Sequence, residues 1–218
     1  MSNANYIIQM GNFNTAAGHP SGGGFSLNLT VGQTAPGLYV GNNFKVRSGF
    51  QYINSIIPFS FSISNTFIDF GPLSPQTFYR RTTTLTISNG SAFGYQVTAS
   101  ENHPLLVPAT GNIIPDTACD SGSTCTTTLA NHWASFLSSF GFGYRCDNNS
   151  GTDCDPQFST ASDYYRPFAS SPSAVMVMSS TNVGRNKQST ITYQLNIAPS
   201  QAPGQYTNII NFIATPSF

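Results

Sequence analysis

The chain has 218 residues, 39% of them hydrophobic with 17 Phe and 10 Tyr, which is apolar area enough to build a core and to exclude global disorder. Charged residues are only 7%, eight basic against eight acidic, and the net charge is zero. Singly scattered Lys and Arg cannot form the stripe that phosphate backbones or anionic membranes need, so nucleic acid is excluded as a partner, and no apolar run reaches the roughly 18 residues of a transmembrane helix.

A polar, nearly uncharged surface favours association and suits an extracellular polymer or coat. Met1–Ala4 carry neither a charged n-region nor an apolar h-region. The expectation of an extracellular or cell-surface location therefore rests on composition and on the cysteines.

Residues 1–54 are predicted as an N-terminal β-hairpin module. Apolar runs at Tyr6–Met10, Phe25–Val31 and Phe44–Arg47 are separated by Gly22-Gly23-Gly24, Ala35-Pro36-Gly37 and Gly41-Asn42-Asn43, residues that supply turns or positive φ. In the second run Phe25, Leu27, Leu29 and Val31 fall on one face and Ser26, Asn28 and Thr30 on the other, the period of a half-buried strand. The first run places Tyr6, Ile7, Ile8, Met10 and Phe13 at the extreme terminus, followed by small residues over 15–24. In a β-protein nearly without lysine gatekeepers, that segment can act as a donor strand on a neighbouring copy. Pairing inside its own β module is the other reading.

Residues 55–218 are predicted as a second, larger β domain. Strands are expected at Phe59–Ser64, Phe67–Phe70, Thr82–Ser88, Tyr95–Ser100, Ala174–Met178, Ser189–Ile197 and Tyr206–Ala214. Seven short strands with turn signals between them match an all-β, immunoglobulin-like Greek-key sandwich. Clean alternation over Ile191–Ile197 predicts one solvent-facing side, whereas Ile209-Ile210-Asn211-Phe212-Ile213 has apolar residues on both parities and is expected to be covered on both faces.

The stretch from about 101 to 173 breaks this rhythm and reads as a loop insertion at one end of the sandwich, holding all four cysteines and the single Trp. Cys119 with Cys125 and Cys146 with Cys154 lie close in polar loops, which predicts two local disulfides. Four cysteines allow three connectivities, and a four-cysteine zinc site is the rival, although the spacings are wider than the usual two to four residues. Trp133, Phe136, Leu137 and Phe140 have helical spacing behind Asn131, so a short helix is expected over 131–140.

Asn5-Tyr6, the turn Val31-Gly32-Gln33-Thr34-Ala35-Pro36-Gly37 and Gly49-Phe50 resemble the N-terminal module of many secreted bacterial proteins. Ile68-Asp69-Phe70-Gly71, Gly94-Tyr95-Gln96-Val97 and Pro203-Gly204-Gln205-Tyr206-Thr207 are similar to the strand grammar of bacterial immunoglobulin-like surface proteins. The resemblance covers about two thirds of the chain and leaves the insertion unmatched. It implies extracellular display, in some cases in pilus-like assemblies where one subunit's N-terminal strand completes the next subunit's sheet. It brings no catalytic residues.

Two ligand sites are weighed in the insertion. His132 and Trp133, with Tyr144, Tyr164 and Tyr165, have the composition of an aromatic platform for sugars, and the competing reading makes Trp133 the insertion's hydrophobic anchor. Asp147, Asp153 and Asp155 are the first candidates for calcium, but the stretch lacks the EF-hand's twelfth-position Glu, and turn-forming Asp and Asn account for it without a metal. His19 reads as a solvated loop residue, and His103, near Glu101, as part of a turn; no catalytic grouping emerges and the chain is not expected to be an enzyme. The function expected is a structural subunit of a surface filament or coat that polymerises with itself by strand addition. The alternative is an adhesin that binds surface glycans or proteins through the 101–173 insertion.

Overall fold

The computed structural model of the protein describes residues 16–18, 21–26, 29–32, 37–41, 45–48, 57–91 and 93–217. The chain divides into two compact units, Met1–Ile56 and Ile57–Phe218. The proposed donor segment 5–13, and His19, lie outside the described residues.

In the first unit, β1 (Ala16–Gly18) pairs with β4 (Leu29–Val31) and β2 (Ser21–Gly22) with β3 (Phe25–Ser26). Ala16 opposite Val31 and Ser21 opposite Ser26 keep one register, that of a hairpin turning at Gly23-Gly24. Both glycines have positive φ, as a two-residue hairpin turn of matching twist requires. A second ribbon joins β5 (Gly37–Val40) to β6 (Lys45–Ser48). The run expected as one strand over Phe25–Val31 is thus described at 25–26 and 29–31, and the burial of residues 25–30 lies outside the description.

The second unit is an antiparallel, sandwich-like arrangement. Its larger sheet has the order β13 (Gly141–Asn148), β16 (Gly184–Asn196), β8 (Tyr79–Asn89), β7 (Ser60–Ile63). Its smaller sheet has β9 (Tyr95–Glu101) between β15 (Val175–Ser180) and β17 (Ile210–Pro216). Leu85, Ile87, Ile191 and Leu195 from the first sheet meet Val97, Ala99, Val177 and Met178 from the second in one buried core. The close approach of the end of β15 to the start of β9 needs Gly94: a Cβ there would stand 1.7 Å from the Ser180 carbonyl oxygen. Two-residue ribbons β10 (Leu105–Leu106) with β11 (Ile113–Ile114), and β12 (Asn131–His132) with β14 (Tyr164–Tyr165), lie in the connections.

Four expectations are corrected. The 101–173 stretch is not only a loop insertion, because it contributes β13, an eight-residue strand of the main sheet. Phe142, Tyr144 and Cys146 point into the core, while Gly143 and Arg145 face the other way and are covered by the neighbouring loops. No helix forms over 131–140; Asn131–His132 pair as a strand and Trp133 is locked by Phe78 and Tyr165. Phe67–Phe70 is not a strand but a loop, ending at Gly71, which has φ 72°, and Pro72.

The fourth concerns which strand is covered. Ile209, just before β17, and Ile213, on it, are 62% and 56% exposed, because alternate residues of β17 face solvent. On β16 the apolar parity is buried in the core, and at the end of the strand the polar parity is buried as well: Gln194 and Asn196 are fully enclosed beneath the 133–139 segment.

Candidate functional site

An open groove of about 900 Å³ lies in the second unit. Its floor is made by Leu105, Ile114, Phe142, Tyr193 and Leu195, its walls by the loop after β7 and by the segment 201–212. Phe67, 76% exposed, and Ile209 stand on its rim. Asp69 is the only charged residue along it, and its carboxylate accepts the Gly71 N–H at 2.8 Å.

Both walls are held by local bonds. Arg81 Nε donates to the Asp69 carbonyl at 2.8 Å and Arg81 Nη2 to that of Phe70 at 3.1 Å, with the guanidinium over the Phe70 ring. Opposite, the Tyr206 hydroxyl donates to the Ala202 carbonyl at 2.7 Å, and Gln201 Nε2 donates to that hydroxyl at 2.6 Å and to the Ile113 carbonyl at 2.9 Å.

The groove lies between two unpaired strand edges. Asn102 N–H donates to the Ile209 carbonyl at 3.0 Å and Ser217 N–H to the Gly94 carbonyl at 2.9 Å. The odd-numbered residues of β17 therefore turn their backbone groups toward β9, and those of Ile210, Phe212 and Ala214 point to the other side. Likewise Ser64 N–H donates to the Thr84 carbonyl at 2.9 Å, which leaves the backbone groups of Phe61 and Ile63 on the outer side of β7. Neither outer edge is paired with a strand among the described residues. Side chains on these same residues, Phe61, Ile63, Ile210, Phe212 and Ala214, are half-buried against the core.

Behind the 201–212 wall, Glu101 is wholly buried at the end of β9. Its Oε2 accepts from Asn208 Nδ2 at 2.9 Å. Burial, and then the charge of Asp116, push its carboxyl up to about 9, and burial raises Asp116 as well. His103, read beside Glu101 in the sequence, is elsewhere engaged, with Nδ1 2.8 Å from the Pro104 carbonyl oxygen.

The four cysteines form the disulfides Cys119–Cys125 and Cys146–Cys154, with no free thiol to ligate zinc. The aromatic platform is not assembled. Trp133 is fully buried, edge-on to Phe78 and Tyr165 at 5.8 Å, with Nε1 donating to the Ser139 carbonyl at 3.0 Å. Tyr144 stacks on Phe168 at 4.0 Å inside the core and Tyr165 is buried beside Trp133, so only His132 and Tyr164 reach the surface, at 4.6 Å. His132 Nδ1 lies 2.7 Å from Asp163 Oδ2.

The calcium candidates do not converge. Asp147 is engaged by Arg145, Asp153 Oδ2 accepts from the Tyr95 hydroxyl at 2.7 Å, and Asp155 Oδ2 accepts from the buried Arg166 at 2.8 Å. Among the described residues no group of three or more His, Cys, Asp or Glu is placed to hold a metal, and no helix is long and apolar enough to cross a membrane. Sequence reading missed the groove because its parts come from six separate stretches, each apolar residue of which reads locally as core. The chain matches no protein-family model, no curated protein and no solved structure.

Proposed function

We propose that the 57–218 unit is an extracellular assembly module that accepts a β-strand in the groove between β7 and β17. The carrying observation is the conjunction of an apolar floor with unpaired backbone groups on its wall at Ile210 and Phe212, an edge that continues to Ala214. An apolar small molecule fills the floor but leaves the backbone groups unmet, whereas an extended peptide satisfies both. Two disulfides agree with an oxidising compartment.

The strand order favours the same reading. Taken in immunoglobulin order, β7, β8, β16 and β13 stand as the strands A, B, E and D of one sheet, and β9 and β17 as C and F of the other. In that order the place of a further strand beside F is the groove, β15 having been added on the far side of β9. Segment 5–13 of a second copy is the proposed occupant: it carries no charge, and Tyr6, Ile8 and Met10 share one parity, so that one face is apolar along its length.

Deleting residues 1–14 tests this by light scattering and electron microscopy. Loss of polymer in the truncated chain, with shorter polymer when a free peptide covering residues 4–14 caps the full chain's groove, is the expected pattern. A truncated chain that polymerises like the full one contradicts it. A glycan-binding adhesin is the weaker alternative, because the buried Trp133 and Tyr144 remove the centre of the platform it would use.

A further inference from the structure

We propose that Glu101 and Asp116 form an acid-operated latch on the groove, keeping its β17 wall in the strand-accepting form while they share a proton and releasing it when both ionise. This rests on the strand-addition reading and adds a control to the same site.

The pair is bracketed by groove residues. Glu101 is the ladder partner of Ile210, the first residue of β17, and its Oε2 holds Asn208 of the wall at 2.9 Å. Asp116 follows Ile114 of the floor by two positions and bridges Phe142, also of the floor. Glu101 Oε1 and Asp116 Oδ1 are both buried with no hydrogen-bond donor to meet them.

Asp116 is the titratable group that acts on Glu101, and neither carboxyl has a Lys, Arg or His ion-pair partner among the described residues. A proton joins two such groups: a protonated carboxyl donates to its neighbour, whereas two carboxylates repel, and the wholly buried Glu101 has no water to solvate its charge. Glu101 is accordingly pushed up to about 9.

When the second charge appears, one of the two strands must give. Asp116 is pinned on both sides, by Thr117 N–H to the Phe142 carbonyl at 2.9 Å and by Phe142 N–H to the Pro115 carbonyl at 3.0 Å. Asn208 and Ile209 belong to an edge segment, and Ile209 is largely exposed. Admitting water between Glu101 and Asn208 is the easier relief, and it displaces the wall where an added strand would start.

The test uses the full chain and Glu101→Gln, whose amide can donate to Asp116 and accept from Asn208 without titrating. Hydrogen exchange of the Thr207 and Ile209 amides, which donate to the Leu106 carbonyl and to Asn102 Oδ1, corrected for its intrinsic pH dependence, and assembly by light scattering are followed from about pH 5 to about pH 10. In the wild type, protection of these amides should fall on the order of tenfold as the pH passes about 9, with assembly lost in parallel, and in Glu101→Gln both should stay level. Asp116→Asn should be level too, which covers the case of a Gln variant that does not fold. Wild-type protection that does not change, or a variant that reproduces the wild-type fall, overturns the latch. Absence of assembly at every pH overturns the strand-addition reading instead, whatever the amides do.

Discussion

Gln194 donates from Nε2 to the main-chain carbonyl of Trp133 at 2.6 Å, across 61 positions of sequence, and both residues are fully buried. The same side chain accepts from Arg80 Nε at 2.6 Å. One amide thus ties the loop layer to the outer face of β16. Gln194→Leu keeps the volume but leaves the buried Trp133 carbonyl without its side-chain donor, and should cost about 1–3 kcal/mol in chemical denaturation. Trp133 is the only tryptophan, so a red-shifted emission should accompany the loss; unchanged stability and emission would mean that the loop layer is held by other contacts.

The two disulfides close loops of 6 and 8 residue separations. Loops this short restrict the unfolded chain by about 2–3 kcal/mol each. Cys119 and Cys125 pack with Trp133 and Tyr165, away from the main core, whereas Cys146 and Cys154 belong to it. Replacing Cys119 and Cys125 by Ser should therefore disturb the Trp133 signal while sparing the sheets, and replacing Cys146 and Cys154 should lower the stability of the whole unit. Equal effects of both replacements on tryptophan emission would count against this division.

Stability should fall as the pH rises. Glu101 has an ordinary value of 4.5 that the fold raises to about 9, and Asp116 is raised in the same sense. Between those values the native state binds more protons than the unfolded chain, so the contribution is complete below about pH 4.5 and is lost progressively toward about pH 9. Denaturant midpoints measured across that window should decline in the wild type and flatten in Glu101→Gln. A midpoint that rises with pH in both proteins would give the pair the wrong sign.

The all-β class was legible from strand-length runs and turn residues, and five expected strands of the second unit, such as Thr82–Ser88 within β8, fall where alternation put them. What alternation could not say is which face meets water. Gln194 and Asn196 read as a solvent face because they are polar, yet the amide nitrogen of each donates to carbonyls of a distant loop, a partnership no local window contains. Ile209 and Ile213 read as buried because they are apolar, yet one directly precedes and the other lies on a strand with a solvent face. β13 was hidden by its glycines: Gly141 and Gly143 weaken a strand signal, but a Cβ on Gly143 would lie 2.7 Å from the Thr117 side chain and 2.9 Å from the Arg166 carbonyl oxygen. Close covering by the loop layer is what demands glycine there.

The strand-accepting edge is tested most directly by Ala214→Pro. The Ala214 N–H points away from β9, so proline removes no bond within the sheet and its ring stands where an added strand would pair, a placement edge strands tolerate. Sedimentation velocity of the full chain at increasing concentration should show the wild type growing into large species. The variant should stay at the size of one chain, with a denaturation midpoint close to the wild type's. A proline variant that assembles as the wild type does would contradict strand addition at β17.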